Sequence, residues 1–217
     1  ISLLCKSKQP EKGLESFLKV LDRSTLENSR DYQYKTTHPQ TIDRYSWIQN
    51  SYKKYPNCKY KLNPNIQKRF ELIKAKLFAY THSQAEVLAV YQNQISTSSK
   101  YASAAANFFN GDKKKSIDMI KSLIKDDPSN PYYHEILGEI YYTLGNFKLA
   151  ILEQKKTMEL LSSDNDLHLM MLGSYLIAES SDENIIKSIK ALNKSLFLNR
   201  TNSYAWYLLA KAHALND

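Results

Sequence analysis

The residues best suited to metal or acid–base chemistry are the five histidines, and His38 has the most distinctive setting. It precedes Pro39 in the segment YKTTHPQTIDRYSWIQ. A residue before proline is kept out of the helical region, so we expect the imidazole at a turn that leads into a helix. This position suits a metal ligand or an ordinary loop histidine.

The motifs that would complete an active site are missing. The sequence contains no HExxH helix for zinc, no GxSxG elbow, no Gly-rich phosphate loop and no EF-hand loop. Cys5 and Cys58 have neither CxxC spacing nor the density of a disulfide framework. We therefore expect no catalytic residues and no bound cofactor in these 217 residues alone.

Composition indicates an all-α fold. Only 5 Gly and 6 Pro interrupt 217 residues, which favours long helices over many short strands. No apolar run reaches the roughly 18 residues of a membrane-spanning helix. The chain begins at Ile1, and ISLLCKSK is too short and too polar for a signal peptide, so we expect a piece of a longer protein.

The net charge of +8 could attract nucleic acid or acidic membranes. Its basic residues are widely spread, however, and the cluster at 113–115 falls in a predicted turn between helices. Charge in a solvated turn is the simpler interpretation, and we do not expect nucleic acid as the partner.

A small residue recurs along the chain in a constant setting. Ala105, Gly138, Gly173 and Ala210 follow one another at intervals of 33, 35 and 37 residues. Each has bulky side chains about four residues before it and three after it, which places them on one helical face. The small residue would let a partner helix approach closely.

This pattern, seen most fully in LGEIYYTLGNFKLA, resembles the tetratricopeptide repeat of about 34 residues. The resemblance implies an α-solenoid of stacked helix hairpins with an extended concave surface for binding. The second helices are then predicted to bury three groups of apolar residues: Ile117, Ile120, Leu123 and Ile124; Ala150, Ile151 and Met158; Ile185, Ile189, Leu192 and Leu196.

We divide the chain into a helical segment over 1–61 and repeats over 62–217. In the first part, Thr41 looks like the N-cap of a helix that ends at 55–57. In the second part, an early hairpin lacks a clear small contact residue and is interpreted as a degenerate repeat or cap. Its two apolar stripes are Ile66, Phe70, Ile73 and Leu77, and then Leu88, Tyr91 and Ile95.

The segment THPQTIDRYSWI, followed by repeats, resembles the end of the protease domain of Ste24-like zinc metallopeptidases of the type that supports outer-membrane β-barrel assembly. The matching residues are Thr37, His38, Pro39, Thr41 and Arg44. The resemblance implies that His38 is an extra zinc ligand of a parent protease and that Arg44 anchors the helix. It also implies a location in the bacterial cell envelope or periplasm and a partner in the outer-membrane assembly machinery. The HExxH helix and the downstream Glu ligand of that family are absent here.

By analogy with tetratricopeptide folds, the inner surface comes from positions 2, 5, 9 and 12 of each first helix, with the small residue as position 8. These positions do not form the Lys/Asn/Arg set that captures a terminal carboxylate, and two glutamates would repel that anion. Aromatic and Met side chains suit a protein or peptide partner. The predicted binding residues are Tyr132, Glu135, Glu139, Tyr142, Leu167, Met170, Ser174, Ile177, Tyr204, Tyr207 and Lys211.

Three functional hypotheses follow. The first is a repeat module that recruits substrates or partners for an envelope zinc metalloprotease. The second is a stand-alone adaptor without protease activity, for which the THP match is coincidental. The third is an RNA-binding helical repeat that uses the 16 tyrosines for stacking, and the acidic Glu135 and Glu139 argue against it.

Overall fold

The protein is helical in a computed structural model, which describes residues 6–7, 13–14, 16–17, 41–54, 61, 63–91, 93 and 95–216. Contacts divide the chain into residues 1–70 and residues 71–217. The boundary predicted at residues 61 and 62 remains a prediction. The helices from residue 41 onward are α1 (Thr41–Lys54), α2 (Pro64–Thr81), α3 (Gln84–Tyr91), α4 (Thr97–Phe109), α5 (Lys113–Asp126), α6 (Pro131–Thr143), α7 (Phe147–Leu161), α8 (Asp166–Glu179), α9 (Asp182–Leu198) and α10 (Ser203–Asn216).

From α4 onward the helices form successive hairpins. Helix α4 packs on α5, α6 on α7, and α8 on α9, while each second helix also contacts the first helix of the next hairpin. No strand occurs in the described part of the chain. The prediction of an all-α solenoid built from helix hairpins is confirmed.

Short polar residues and turn residues fix the helix ends. The side chain of Asn130 accepts a hydrogen bond from the backbone of Tyr132, and Pro131 takes the first position of α6. Within the three hairpins, the turns place Gly111, Gly145 and Ser180 at equivalent points with φ of 92°, 76° and 61°. Such left-handed conformations favour glycine, so Ser180 in the third turn adopts its conformation at a steric cost that glycine would not have.

The predicted small contact residues occupy the core in three of the four units. Ala105, Gly138 and Gly173 are buried between the helices of their hairpins. Ala210 is exposed instead, because no second helix follows α10 within the 217 residues to pack against it.

The second helices bury or half-bury their predicted apolar residues and add buried hydroxyl groups that the apolar pattern did not indicate. Ile120, Ala150 and Leu192 are fully buried. The Ser116 hydroxyl donates to the Ala104 carbonyl at 2.7 Å, and that of Ser195 donates to the Asp166 carbonyl at 2.8 Å. Each bond ties a second helix to the first helix of its own hairpin.

The structure corrects the expectation for α2. The predicted stripe is its exposed face, with Phe70 and Leu77 more than half exposed, and Ile66 and Ile73 likewise. Ala75 and Ala79 are buried instead. Both alanines belong to the buried cluster that also contains the alanines of α4, so the buried face of α2 consists of small residues rather than of the large apolar ones.

Two further predictions concern the ends of helices. Ile95 lies beyond the end of α3 and is fully exposed, so it does not extend that helix as predicted. Helix α1 includes Thr41 as its first residue, so Thr41 is not the N-cap residue before the helix that the sequence predicted. The side chain of Arg44 is exposed, while Thr37, His38, Pro39, Cys5 and Cys58 lie outside the described residues. None of the described helices is long and apolar enough to cross a membrane.

Candidate protein-binding face

Large apolar side chains stand exposed at the same position of three first helices. Tyr132 on α6, Leu167 on α8 and Tyr204 on α10 are 44%, 53% and 52% exposed. All three occupy position 2 of the repeat, the first of the four predicted binding positions. We call the surface formed by the first helices α6, α8 and α10, with the side chains of α2 that reach it, the inner face.

The two glutamates of α6 receive side chains from α2. Lys76 Nζ lies 2.5 Å from Glu135 Oε2, and the Tyr80 hydroxyl donates to Glu139 Oε2 at 3.1 Å. Both pairs span 59 residues and join two helices that are separated by three others in the chain. Lysine and tyrosine one helical turn apart on α2 thus match glutamates one turn apart on α6.

Tyr142, at position 12 of the repeat on α6, is only half-buried. Its ring stacks on that of Tyr175 from α8, with centroids 4.7 Å apart and an interplanar angle of 23°. The Ser174 hydroxyl donates weakly to the Tyr142 hydroxyl at 3.5 Å. The aromatic stack therefore joins two neighbouring hairpins.

The predicted residues of α8 are less accessible. Ile177 is 4% exposed and packs in the core with Leu192 and Leu208, which corrects its expected place on the surface. Because α10 packs against α8, Ile177 enters a second buried cluster that is formed by residues of α8, α9 and α10. Met170 is half-buried, and its sulfur accepts a hydrogen bond from the Asn202 amide at 3.3 Å.

Helix α10 presents the most open part of the inner face. Tyr204, Tyr207 and Lys211, all three among the predicted binding residues, are exposed. The rings of Tyr204 and Tyr207 lie 5.9 Å apart and nearly parallel. Two adjacent exposed aromatic rings provide a broad apolar contact for a partner chain.

Several residues of this face were not predicted from the sequence. Lys76 and Tyr80 belong to α2, whose buried face was predicted wrongly, and Tyr175, which stacks on Tyr142, is a core position of α8. The available signal was the four-residue spacing of Lys76 and Tyr80, which equals that of Glu135 and Glu139. Only the fold shows that these two pairs face each other.

The charge of the inner face is concentrated on α6. Burial raises the pKa of the Glu139 carboxyl, and the neighbouring Glu135 adds to the effect, against the Tyr80 hydrogen bond and Lys76. Within the described residues, no group of three or more His, Cys, Asp or Glu is placed to hold a metal ion.

The comparisons with known proteins address the fold. No family model matches the chain, and neither does any curated protein. Among solved structures, the first tetratricopeptide domain of Spaghetti (RPAP3) bound to the HSP90 peptide SRMEEVD is similar, with a TM-score of 0.50 and 21% identity over 56% of this chain and 94% of that chain. Two structures of MamA are also similar. The RS-1 ArsTM double mutant has a TM-score of 0.48 and 15% identity, over 68% of this chain and 93% of its own. MamA MSR-1 C2 has a TM-score of 0.48 and 17% identity, over 70% and 95%. The fold of this chain is a tetratricopeptide-type α-solenoid.

Proposed function

We propose that the protein is a binding module that holds an extended segment of another protein against its inner face. The observation that carries this proposal is the row of exposed apolar side chains at one repeat position, Tyr132, Leu167 and Tyr204. Isolated exposed hydrophobic residues need no explanation, but a row repeated along a solenoid forms a continuous surface. Rigid aromatic rings give such a surface large contact area at low entropic cost.

A similar fold supports the idea of a peptide ligand and also limits its chemistry. The Spaghetti domain is bound to the peptide SRMEEVD, which carries adjacent glutamates and an aspartate. The inner face here carries Glu135 and Glu139, whose carboxylates repel an acidic segment. The ligand of this module is therefore a different class of peptide.

A selection experiment tests the binding function. Random twelve-residue peptides displayed on phage are selected against the 217-residue chain, and enriched peptides are measured by fluorescence anisotropy. We expect enriched peptides with micromolar dissociation constants, weakened by Tyr204→Ala and Tyr207→Ala and unaffected by Trp206→Ala, which replaces an aromatic residue of the same helix outside the predicted positions. No enrichment over the bare support would refute the function.

We further propose that the module serves a zinc metallopeptidase of the cell envelope and recruits substrates or outer-membrane assembly partners for it. The motivating observation is the THPQTIDR segment next to the repeats. The parent protein would bind zinc through residues that include His38. Recovery of the gene region before Ile1 tests this: the longer protein should contain HExxH, bind zinc and cleave casein. A longer protein that lacks these properties leaves the stand-alone adaptor as the function.

A further inference from the structure

The inner face already contains a bound ammonium group, that of Lys76. Its Nζ atom contacts Glu135 and lies 5.5 Å from the centre of the Tyr132 ring and 5.8 Å from that of Tyr80. A carboxylate combined with aromatic rings is a general arrangement for recognising an organic cation. The contacts of Lys76 therefore indicate that this part of the inner face suits an organic cation.

The site has more negative than positive charge. Lys76 pairs with Glu135, while Glu139 has a hydrogen bond from Tyr80 and no ion pair within the part of the chain that the structure describes. Burial opposes ionisation of Glu139, as its raised pKa shows. Two carboxylates thus share one cation, and a second or larger cation would be stabilised here.

Two buried hydroxyl groups next to the glutamates have no hydrogen-bond partner among the described residues. They belong to Tyr101 and Tyr175, whose side chains are 2% and 3% exposed. Burial raises the pKa of both phenols, and Glu135 and Glu139 raise it further, which places both hydroxyls within electrostatic reach of the carboxylates. Both hydroxyls are closed off from solvent, and an unpaired buried hydroxyl is costly.

We propose that Tyr80, Tyr132, Glu135 and Glu139 form a site for an arginine or lysine side chain of the bound protein segment, and that Lys76 occupies this site in the free chain. The inference rests on the proposed peptide-binding function and specifies its ligand as a basic segment. Glutamates one helical turn apart provide paired acceptors for the fork of a guanidinium group, and the tyrosine rings provide faces on which it stacks.

Lys76 acts in this arrangement as an internal competitor. Its side chain is a flexible stem from α2 that retains 30% exposure, so it can leave Glu135 without disturbing the alanine contacts of that helix. A basic side chain of the partner would displace it. Removal of the Lys76 charge should therefore tighten the binding of basic peptides.

Peptide selection on the wild-type chain and on Lys76→Met tests the inference. Enriched peptides should contain Arg or Lys. In anisotropy titrations, Glu135→Gln combined with Glu139→Gln should weaken the binding of these peptides by about tenfold or more, because the attraction between the carboxylates and the basic side chain is lost. Lys76→Met should tighten their binding by about threefold, because the competing ammonium group is removed. Glu159→Gln and Lys187→Met break exposed ion pairs on other helices and should change nothing.

The outcomes separate the two proposals. If no peptide is enriched on either protein, the binding function fails and this inference fails with it. If the enriched peptides lack basic residues, or bind the double glutamine variant as well as wild type, only the inference is refuted. Thermal unfolding of each variant confirms that binding changes do not reflect loss of the fold, and a Lys76→Met protein that is less stable but binds no more tightly assigns Lys76 a purely structural role.

Discussion

Gly173 on α8 lies directly against Leu192 on α9. A Cβ atom at Gly173 would approach the Leu192 Cγ to 2.6 Å and its Cδ2 to 2.8 Å, and Leu192 is fully buried. At Gly138, the equivalent position of the preceding hairpin, the nearest atoms would be 3.4 Å away. Repeat spacing identifies both glycines, yet only one of them is sterically required.

This difference predicts opposite effects of the same substitution. Gly173→Ala should lower the free energy of unfolding by about 1–3 kcal/mol because the buried leucine must shift. Gly138→Ala meets only ordinary contacts and removes a flexible residue from a helix, so it should leave stability unchanged or raise it by up to about 1 kcal/mol. Urea denaturation followed by circular dichroism measures both, and equal losses would contradict the packing of α8 on α9.

Ser180 offers a stabilising substitution. It has φ 61° at the end of α8, where the two preceding hairpins have Gly111 and Gly145. Glycine adopts this conformation without the steric cost of a Cβ atom, so Ser180→Gly should raise the free energy of unfolding by about 0.5–1 kcal/mol.

The control for this prediction is Ser180→Ala, which keeps the Cβ atom and should give no gain. The backbone N–H of Ser180 donates to the Leu176 carbonyl at 3.2 Å in either case. If Ser180→Gly proves as stable as Ser180→Ala in urea titrations, the left-handed conformation of this turn is not limiting.

The fold was predictable where a local rule repeats. Spacing alone located Ala105, Gly138 and Gly173 in the core, because close contact of two helices requires a small residue at a fixed place in each hairpin. The same rule failed for α2. The larger apolar residues of α2 were predicted to be buried because of their size. Burial depends instead on the fit to neighbouring helices, and the residues that fit are Ala75 and Ala79.

The candidate site was predictable only in part, since it depends on contacts between distant repeats. The exposure of Tyr132, Tyr204 and Tyr207 follows from their repeat positions. The ion pair of Lys76 with Glu135 does not, because it requires α2 and α6 to approach each other although three helices separate them in the chain. Periodicity within one hairpin carries no information on that approach.

His168 predicts a dependence of stability on pH. Burial lowers the pKa of its imidazole, with a further lowering by Lys76 that Glu135 and Asp166 oppose. The folded chain then binds fewer protons than the unfolded chain below the ordinary pKa of 6.5, so acidification costs stability. The loss begins as the pH falls through that value and levels off below the folded pKa.

Replacement by glutamine removes this titration. The Gln154 amide donates to the His168 backbone carbonyl at 2.9 Å, a contact that survives the change. Melting temperatures of wild type and His168→Gln should therefore converge or cross as the pH is lowered from 8 to 5, with the wild type losing more. Parallel curves over this range would show that the imidazole titrates alike in the folded and unfolded chains.

Tyr142 and Tyr207 should separate stability from binding. Tyr142 stacks on the buried Tyr175, so Tyr142→Ala should lower the free energy of unfolding by about 1–3 kcal/mol and weaken peptide binding as well. Tyr207 is 60% exposed, and Tyr207→Ala should change stability by no more than about 0.5 kcal/mol. Its effect should appear in anisotropy titrations with selected peptides. If the double variant Tyr204→Ala with Tyr207→Ala binds the peptides as tightly as wild type, α10 is not part of the binding surface. If every variant loses binding in proportion to its loss of stability, the inner face contributes only to packing.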